Sequence, residues 1–178
     1  MPRTSLLSNQ VVPMPPGAAL PGSLNPDCLG CGPENEHGLR MQPRLEGDRV
    51  VADLLLVSWL AGGPGVAHGG ALATFLDELM GHAAVAHRVP AVTAHFEIDF
   101  LRPVLIGARI RGEAWLARRE GRRLLTEAFG RDGQGEICVE ARALYLAVGL
   151  DHFAEALGGM TGEQLARLSR FRPDEYYP

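Results

Sequence analysis

No lysine occurs anywhere in the 178 residues, and every basic side chain is an arginine. The arginines form no sustained run along which a nucleic acid backbone is tracked, and the net charge of −4 with a pI near 5.9 points the same way, so nucleic acid is not an expected partner. Cysteine is scarce: Cys28, Cys31 and Cys138 are an odd number in a mid-sized chain, which argues for reduced thiols, a cytoplasmic setting and no disulfide framework. Long apolar runs are missing too. Neither a leader nor a bilayer-spanning stretch is expected, and no membrane partner. What remains is ordinary for a water-soluble globular chain, with 46% hydrophobic and 21% charged residues and a length suited to one domain.

Proline punctuates the start. Pro13, Pro15, Pro16, Pro21 and Pro26 exclude a regular helix or a central strand from residues 1–27, which are expected to form an extended arm, either disordered or laid over a partner subunit. Residues 39–45 and 49–57 flank Glu46-Gly47-Asp48 and predict a β-hairpin. The glycine-rich segment 61–65 reads as a loop feeding a helix that opens at His68-Gly69-Gly70. From Ala71 to Val85 apolar residues occupy most of a helical circumference, which predicts a helix buried on nearly every side.

After Pro90 the period changes to two. Phe96, Ile98 and Phe100 alternate with His95, Glu97 and Asp99, predicting a strand with one buried face, stopped at Arg102-Pro103. Three more strands are expected over residues 109–118, 123–130 and 136–148, joined through Glu120-Gly121 and Asp132-Gly133. A short amphipathic helix is expected at 161–171, within a tail spanning 151–178. A hairpin, one buried helix and an antiparallel meander predict an α+β architecture over residues 28–150: an antiparallel sheet wrapped around one long central helix, the plan of the hotdog fold.

Asp77 is the residue whose placement most needs explaining. A carboxylate within an apolar helix costs several kcal/mol to bury, ionised and unpaired, so it either pairs locally or does chemistry. The start of the same helix offers amides with no partner inside the helix, at the positive end of the dipole, and Gly69 and Gly70 permit close approach.

Three segments carry a family resemblance: Cys28-Leu29-Gly30-Cys31-Gly32 through Asn35 to Gly38-Leu39; His68-Gly69-Gly70 with Asp77; and Thr93 to Pro103, ending Asp99-Phe100-Leu101-Arg102-Pro103. In these the chain resembles the acyl-CoA thioesterases of the hotdog superfamily, particularly the phenylacetate-pathway type and the mammalian thioesterase superfamily members. The resemblance implies hydrolysis of an acyl-CoA without cofactor or metal. It also implies that Gly69 is the backbone oxyanion donor, Asp77 the base or nucleophile and Thr93 its hydroxyl helper. Many relatives place an Asn six residues before the His to polarise the thioester carbonyl; here that position is Gly62.

Thioester hydrolysis needs a base or nucleophile at the carbonyl carbon and donors for the developing oxyanion. Gly69 and Asp77 are eight residues apart, about 12 Å along a helix axis, too far for one carbonyl to touch both. Two antiparallel central helices across a two-fold axis remove the difficulty, so a homo-oligomer with shared sites is expected, a dimer alone or within a tetramer. An activated water is favoured over direct attack by Asp77.

Lesser candidates are weighed alongside. His68 and Gly70 are placed near substrate, His68 as a supporting residue that sets the turn. Arg118 and Arg119 are candidates for the phosphates of coenzyme A, against the plain reading of solvated arginines at a hairpin. Glu78 and His82, four apart, are expected to pair, with Glu78 a minor alternative for the carboxylate role. Phe75, Met80 and Phe96 are candidate pocket walls. Cys28, Cys31 and His37 look like half a zinc knuckle without a second pair of ligands, so a tight turn is the expected reading and metal binding is not. The rival function is a non-catalytic acyl-CoA-binding or ligand-sensing module, which needs a pocket but no carboxylate; a hydratase requires a His and Asp pair that the sequence does not place.

Overall fold

The computed structural model describes residues 25–149 and, outside them, Met14, Leu20, His152 and Gly158. The tail helix expected at 161–171 and most of the proline-rich arm lie outside the described residues. Where the arm is described it docks on its own chain: the Met14 amide donates to Ala86 O at 2.8 Å and Leu20 is buried in the core.

Strands β1 (Arg44–Glu46) and β2 (Arg49–Leu55) form a hairpin at the expected place, its first arm shorter than the expected 39–45, turning at Gly47, whose φ of +63° is left-handed. A short 3-10 turn at Ser58–Leu60 and the glycine loop lead into helix α1 (Gly69–Ala86), which starts where the sequence placed it. Strands β3 (Ala91–Phe100), β4 (Arg109–Glu120), β5 (Arg123–Arg131) and β6 (Ile137–Ala147) follow. The six strands form one antiparallel sheet in the order β1-β2-β4-β5-β6-β3. The meander therefore holds for β4 to β6 alone. The helix carries the chain from beside β2 to the opposite edge, where β3 pairs with β6.

The sheet curls around α1 because it is built small where the helix presses. Ala52, Gly112 and Gly130 are register partners across β2, β4 and β5. A Cβ on Gly112 runs into Leu79 Cδ1 and lies 2.7 Å from Phe75 Cε1. Phe75, Leu76, Leu79 and Met80 are fully buried beneath it, each contributing about 1.5–3 kcal/mol of transfer free energy.

Two expectations change. Phe75 and Met80 are core residues rather than pocket walls, since the sheet closes over them. Strand β3 has no fully buried face: Phe96 and Ile98 are half-buried against the core, and Phe100 is 52% exposed, its ring lying over Gly69 instead of inside. As the edge strand β3 is backed only in part by the helix, so alternation overstates its burial.

Candidate active site

Asp77 lies midway along α1, half-buried, with donors converging on one of its oxygens. Thr93 Oγ1 donates to Asp77 Oδ1 at 3.0 Å from β3. Tyr145 OH, from β6, donates to the same Oδ1 at 2.7 Å and lies 2.6 Å from the Asp77 backbone carbonyl. Thr93 and Tyr145 are register partners in the β3/β6 ladder, so one rung of the sheet holds the carboxylate. Among the described residues no hydrogen bond reaches Oδ2. Burial, and then the Asp77 charge beside it, push the Tyr145 phenol above its ordinary range, so it stays protonated and acts as a donor.

Sequence reasoning missed Tyr145. The available signal was its position on the inward phase of β6, with Val139, Ala141, Ala143 and Ala147, where a buried phenol needs a partner for its hydroxyl.

At the other end of the helix, His68 is the N-cap residue: its Nδ1 accepts from the Gly70 amide at 2.8 Å. His68 thus sets the turn, and the Gly70 amide is engaged within the chain. The amide of Gly69, the first residue of α1, has no partner among the described residues. It borders a cleft of ≈ 290 Å³ lined by Gly69, Leu72, Phe100, Leu101, Pro103 and Val104, among others. Gly62 packs under the cap, where an added Cβ lies 2.9 Å from His68 Cα. The position that holds Asn in relatives has no room for a side chain in this arrangement.

The two halves of the constellation are not brought together within one chain, being separated by about 12 Å of helix. Nor are Arg118 and Arg119 near the Gly69 cleft. Arg118 pairs with Glu120 at 3.1 Å and is largely exposed; Arg119 donates to Gly121 O at 3.1 Å, and its charge is felt by His87, the C-cap of α1. Both arginines belong to the β4–β5 turn at the far end of the helix. Glu78 and His82 pair as expected, His82 Nδ1 lying 3.5 Å from Glu78 Oε1. Glu78 does not share the Asp77 cluster; its carboxylate meets Cys28 on another side of the helix. A further groove of ≈ 160 Å³, lined by Glu97, Asp99, Trp115 and Glu127 among others, includes neither Asp77 nor Gly69 and is given no chemistry.

Comparison with known proteins fits this arrangement. Residues 64–139 match the thioesterase superfamily model. The resemblance read from the sequence is borne out: over this segment the chain is similar to the thioesterase superfamily, and its six-stranded antiparallel sheet around one helix is the hotdog fold. Among individual proteins it is similar to the acyl-coenzyme A thioesterase THEM4 of Xenopus laevis, 30% identical over 89 residues that make up 49% of this chain and 40% of that protein. The chain thus spans less than half the length of that relative. A solved thioesterase superfamily protein shares 26% identity with a TM-score of 0.65, covering 67% of this chain and 60% of that one. The E. coli PaaI protein of the phenylacetic acid degradation operon, at 20% identity and a TM-score of 0.59 over 62% of this chain and 81% of its own, shares the fold.

Proposed function

We propose that this protein hydrolyses an acyl-CoA thioester to the free acid and coenzyme A, with Asp77 as catalytic residue, at a site completed by a second copy of the chain. The observation that carries the reading is the Asp77 carboxylate, pinned through Oδ1 by Tyr145 and Thr93 with Oδ2 left open. A structural aspartate is satisfied by its neighbours; this one is fixed by one oxygen and presents the other. The match of residues 64–139 to the thioesterase superfamily model supports the same chemistry.

In this mechanism Oδ2 takes a proton from a water, which attacks the thioester carbonyl carbon. The oxyanion rests on the Gly69 amide, at the positive end of the helix dipole beside the cleft, and collapse expels the thiolate, which takes back the proton held on Asp77. Direct attack by Oδ2 is the variant route. It forms a mixed anhydride, and single-turnover hydrolysis in heavy-oxygen water leaves label in Asp77 by that path only. With Gly62 in place of an Asn, the carbonyl is polarised from the helix start alone.

Two features support the shared site. Gly69 and Asp77 are about 12 Å apart on one helix. Strand β3, which carries Thr93, hydrogen-bonds to β6 on one side only among the described residues, and its other edge leaves strand amides and carbonyls open to a second β3.

The test is thiol release from short, medium, long and aromatic acyl-CoAs by the wild type and Asp77→Asn, with assembly state checked for both. The wild type turns over at least one class, and the variant loses most of that rate while assembling normally. If neither protein releases thiol and both bind acyl-CoA, the chain is a binding module instead.

A further inference from the structure

Cys28, Cys31 and Glu78 serve no step of the hydrolysis, yet they converge. Their ligand atoms, two sulfurs and a carboxylate oxygen, all lie within 4.8 Å of one another. The sequence showed two cysteines lacking further ligands; folding brings the third from the central helix, while His37 and Cys138 stay apart. From these positions we infer that Cys28, Cys31 and Glu78 bind a thiophilic divalent cation of the Zn2+ class, clamping the loop from residue 28 to 41 onto α1 beside Asp77.

The loop is built as a ligand turn. Gly32 N donates to Cys28 O at 3.0 Å, Leu39 N to Leu29 O at 2.7 Å and Met41 N to Gly30 O at 3.0 Å, so its own backbone holds both cysteines in place. The amides of Gly30 and Cys31 are directed at Cys28, the arrangement that stabilises a metal-bound thiolate. Glycine is required at two points: a Cβ on Gly32 overlaps the Cys28 backbone, and one on Gly30 lies 2.5 Å from Glu78 Cγ and 2.6 Å from Glu78 Oε2. The second contact means that the loop is pressed down on the carboxylate itself.

The distances suit an ion. Tetrahedral coordination with Zn–S near 2.3 Å and Zn–O near 2.1 Å sets ligand atoms about 3.6–3.8 Å apart, so the three need only small shifts to close on a metal. Without one, Cys28 Sγ donates to Glu78 Oε2 at 3.3 Å. Cys31 is hydrogen-bonded into the same cluster, and the Glu78 carboxylate is only 20% exposed with no arginine in contact among the described residues. Two thiolates and a carboxylate carry three negative charges, which a divalent cation largely offsets. His82 Nδ1 hydrogen-bonds the Glu78 backbone carbonyl at 3.0 Å and lies 3.5 Å from Glu78 Oε1, beside the carboxylate. Cys31 is buried and Cys28 half-buried, leaving solvent the fourth coordination position on the Cys28 side.

The experiment uses the whole chain, stripped with chelator, kept reduced, and titrated with Co2+ as spectroscopic probe and then with Zn2+. The expected result is a sulfur-to-cobalt charge-transfer band saturating at a single equivalent per chain and bleached by Zn2+, with a rise in melting temperature on loading. Cys28→Ser and Cys31→Ser abolish the band and Cys138→Ser leaves it intact. Glu78→Gln, nearly isosteric and suited to folding where a cysteine variant fails, weakens cobalt binding at least about tenfold. Absence of the band from folded, reduced wild type, or its survival in both Cys31→Ser and Glu78→Gln, overturns the proposal. None of these readouts depends on hydrolytic activity.

Discussion

Replacing Tyr145 by Phe removes one oxygen atom from the centre of the proposed site. The ring stays in place, since Tyr145 is 3% exposed and packed on β6 beside Gly81, so shape and burial hardly change. What is lost is the 2.7 Å hydrogen bond to Asp77 Oδ1, leaving Thr93 as the one donor to the carboxylate among the described residues. A hydrogen bond to a charged group contributes about 1.5–3 kcal/mol. If it serves to hold Oδ2 toward its water, the loss enters the barrier, and at about 1.36 kcal/mol per tenfold kcat falls roughly ten- to a hundredfold. KM should move little, because the phenol is buried behind Asp77 and touches no substrate. Thr93→Val is expected to act in the same direction, and the double variant to lose less than the product of the two, since both act on one oxygen. The assay is steady-state thiol release, with near-ultraviolet circular dichroism to check folding. A kcat within about twofold of wild type in folded Tyr145→Phe would refute the claim that this bond positions the base.

Other consequences concern stability. Gly112→Ala drives a methyl group into Leu79 and Phe75, an overpacking expected to cost about 1–3 kcal/mol, or several degrees of melting temperature at roughly 2–4 °C per kcal/mol for a chain of this size; an unchanged Tm contradicts the tight approach of sheet and helix. His87 has a buried Nδ1 without a hydrogen-bond partner among the described residues, and burial, followed by the Arg119 charge, lowers its pKa below the usual 6.5. In the window below that value the unfolded chain binds the proton first, so His87 leaves stability intact above it and reduces stability as pH falls through it. Thermal melts across the window should show that slope in wild type and a flatter one in His87→Asn; equal slopes refute the assignment.

Much of the fold was legible because local chemistry decides it. Gly47 and Gly121 mark tight turns with left-handed glycines, and His68 before Gly69-Gly70 marks the helix start that its side chain caps. Strand order was less legible: turn signals join β4 to β5 to β6, but nothing local tells β3 to cross the helix and pair with β6. The site divided the same way. Asp77 stood out as a carboxylate in an apolar helix, and Thr93 came with the family resemblance. Tyr145 arrives through long-range register and reads in sequence as one more inward residue of a strand. Glu78 is ambiguous for the same reason: helix periodicity pairs it with His82, while only the folded loop brings Cys28 and Cys31 against it.

The central claim is that one subunit's Asp77 works with another subunit's Gly69, and a mixed dimer tests it most directly. Gly69 is the first residue of α1 and follows an extended residue, His68 with ψ 134°, so Gly69→Pro suits the backbone while deleting the amide proton; a β-carbon on Gly69 lies 3.1 Å from the exposed Phe100 ring, which has room to give. Gly69→Pro and Asp77→Asn chains, each inactive alone, are co-expressed with different tags and the heterodimer is purified. One of its two composite sites is intact, so the account predicts about half the wild-type rate of thiol release. A heterodimer as inactive as its parents, with each parent folded and dimeric, contradicts it.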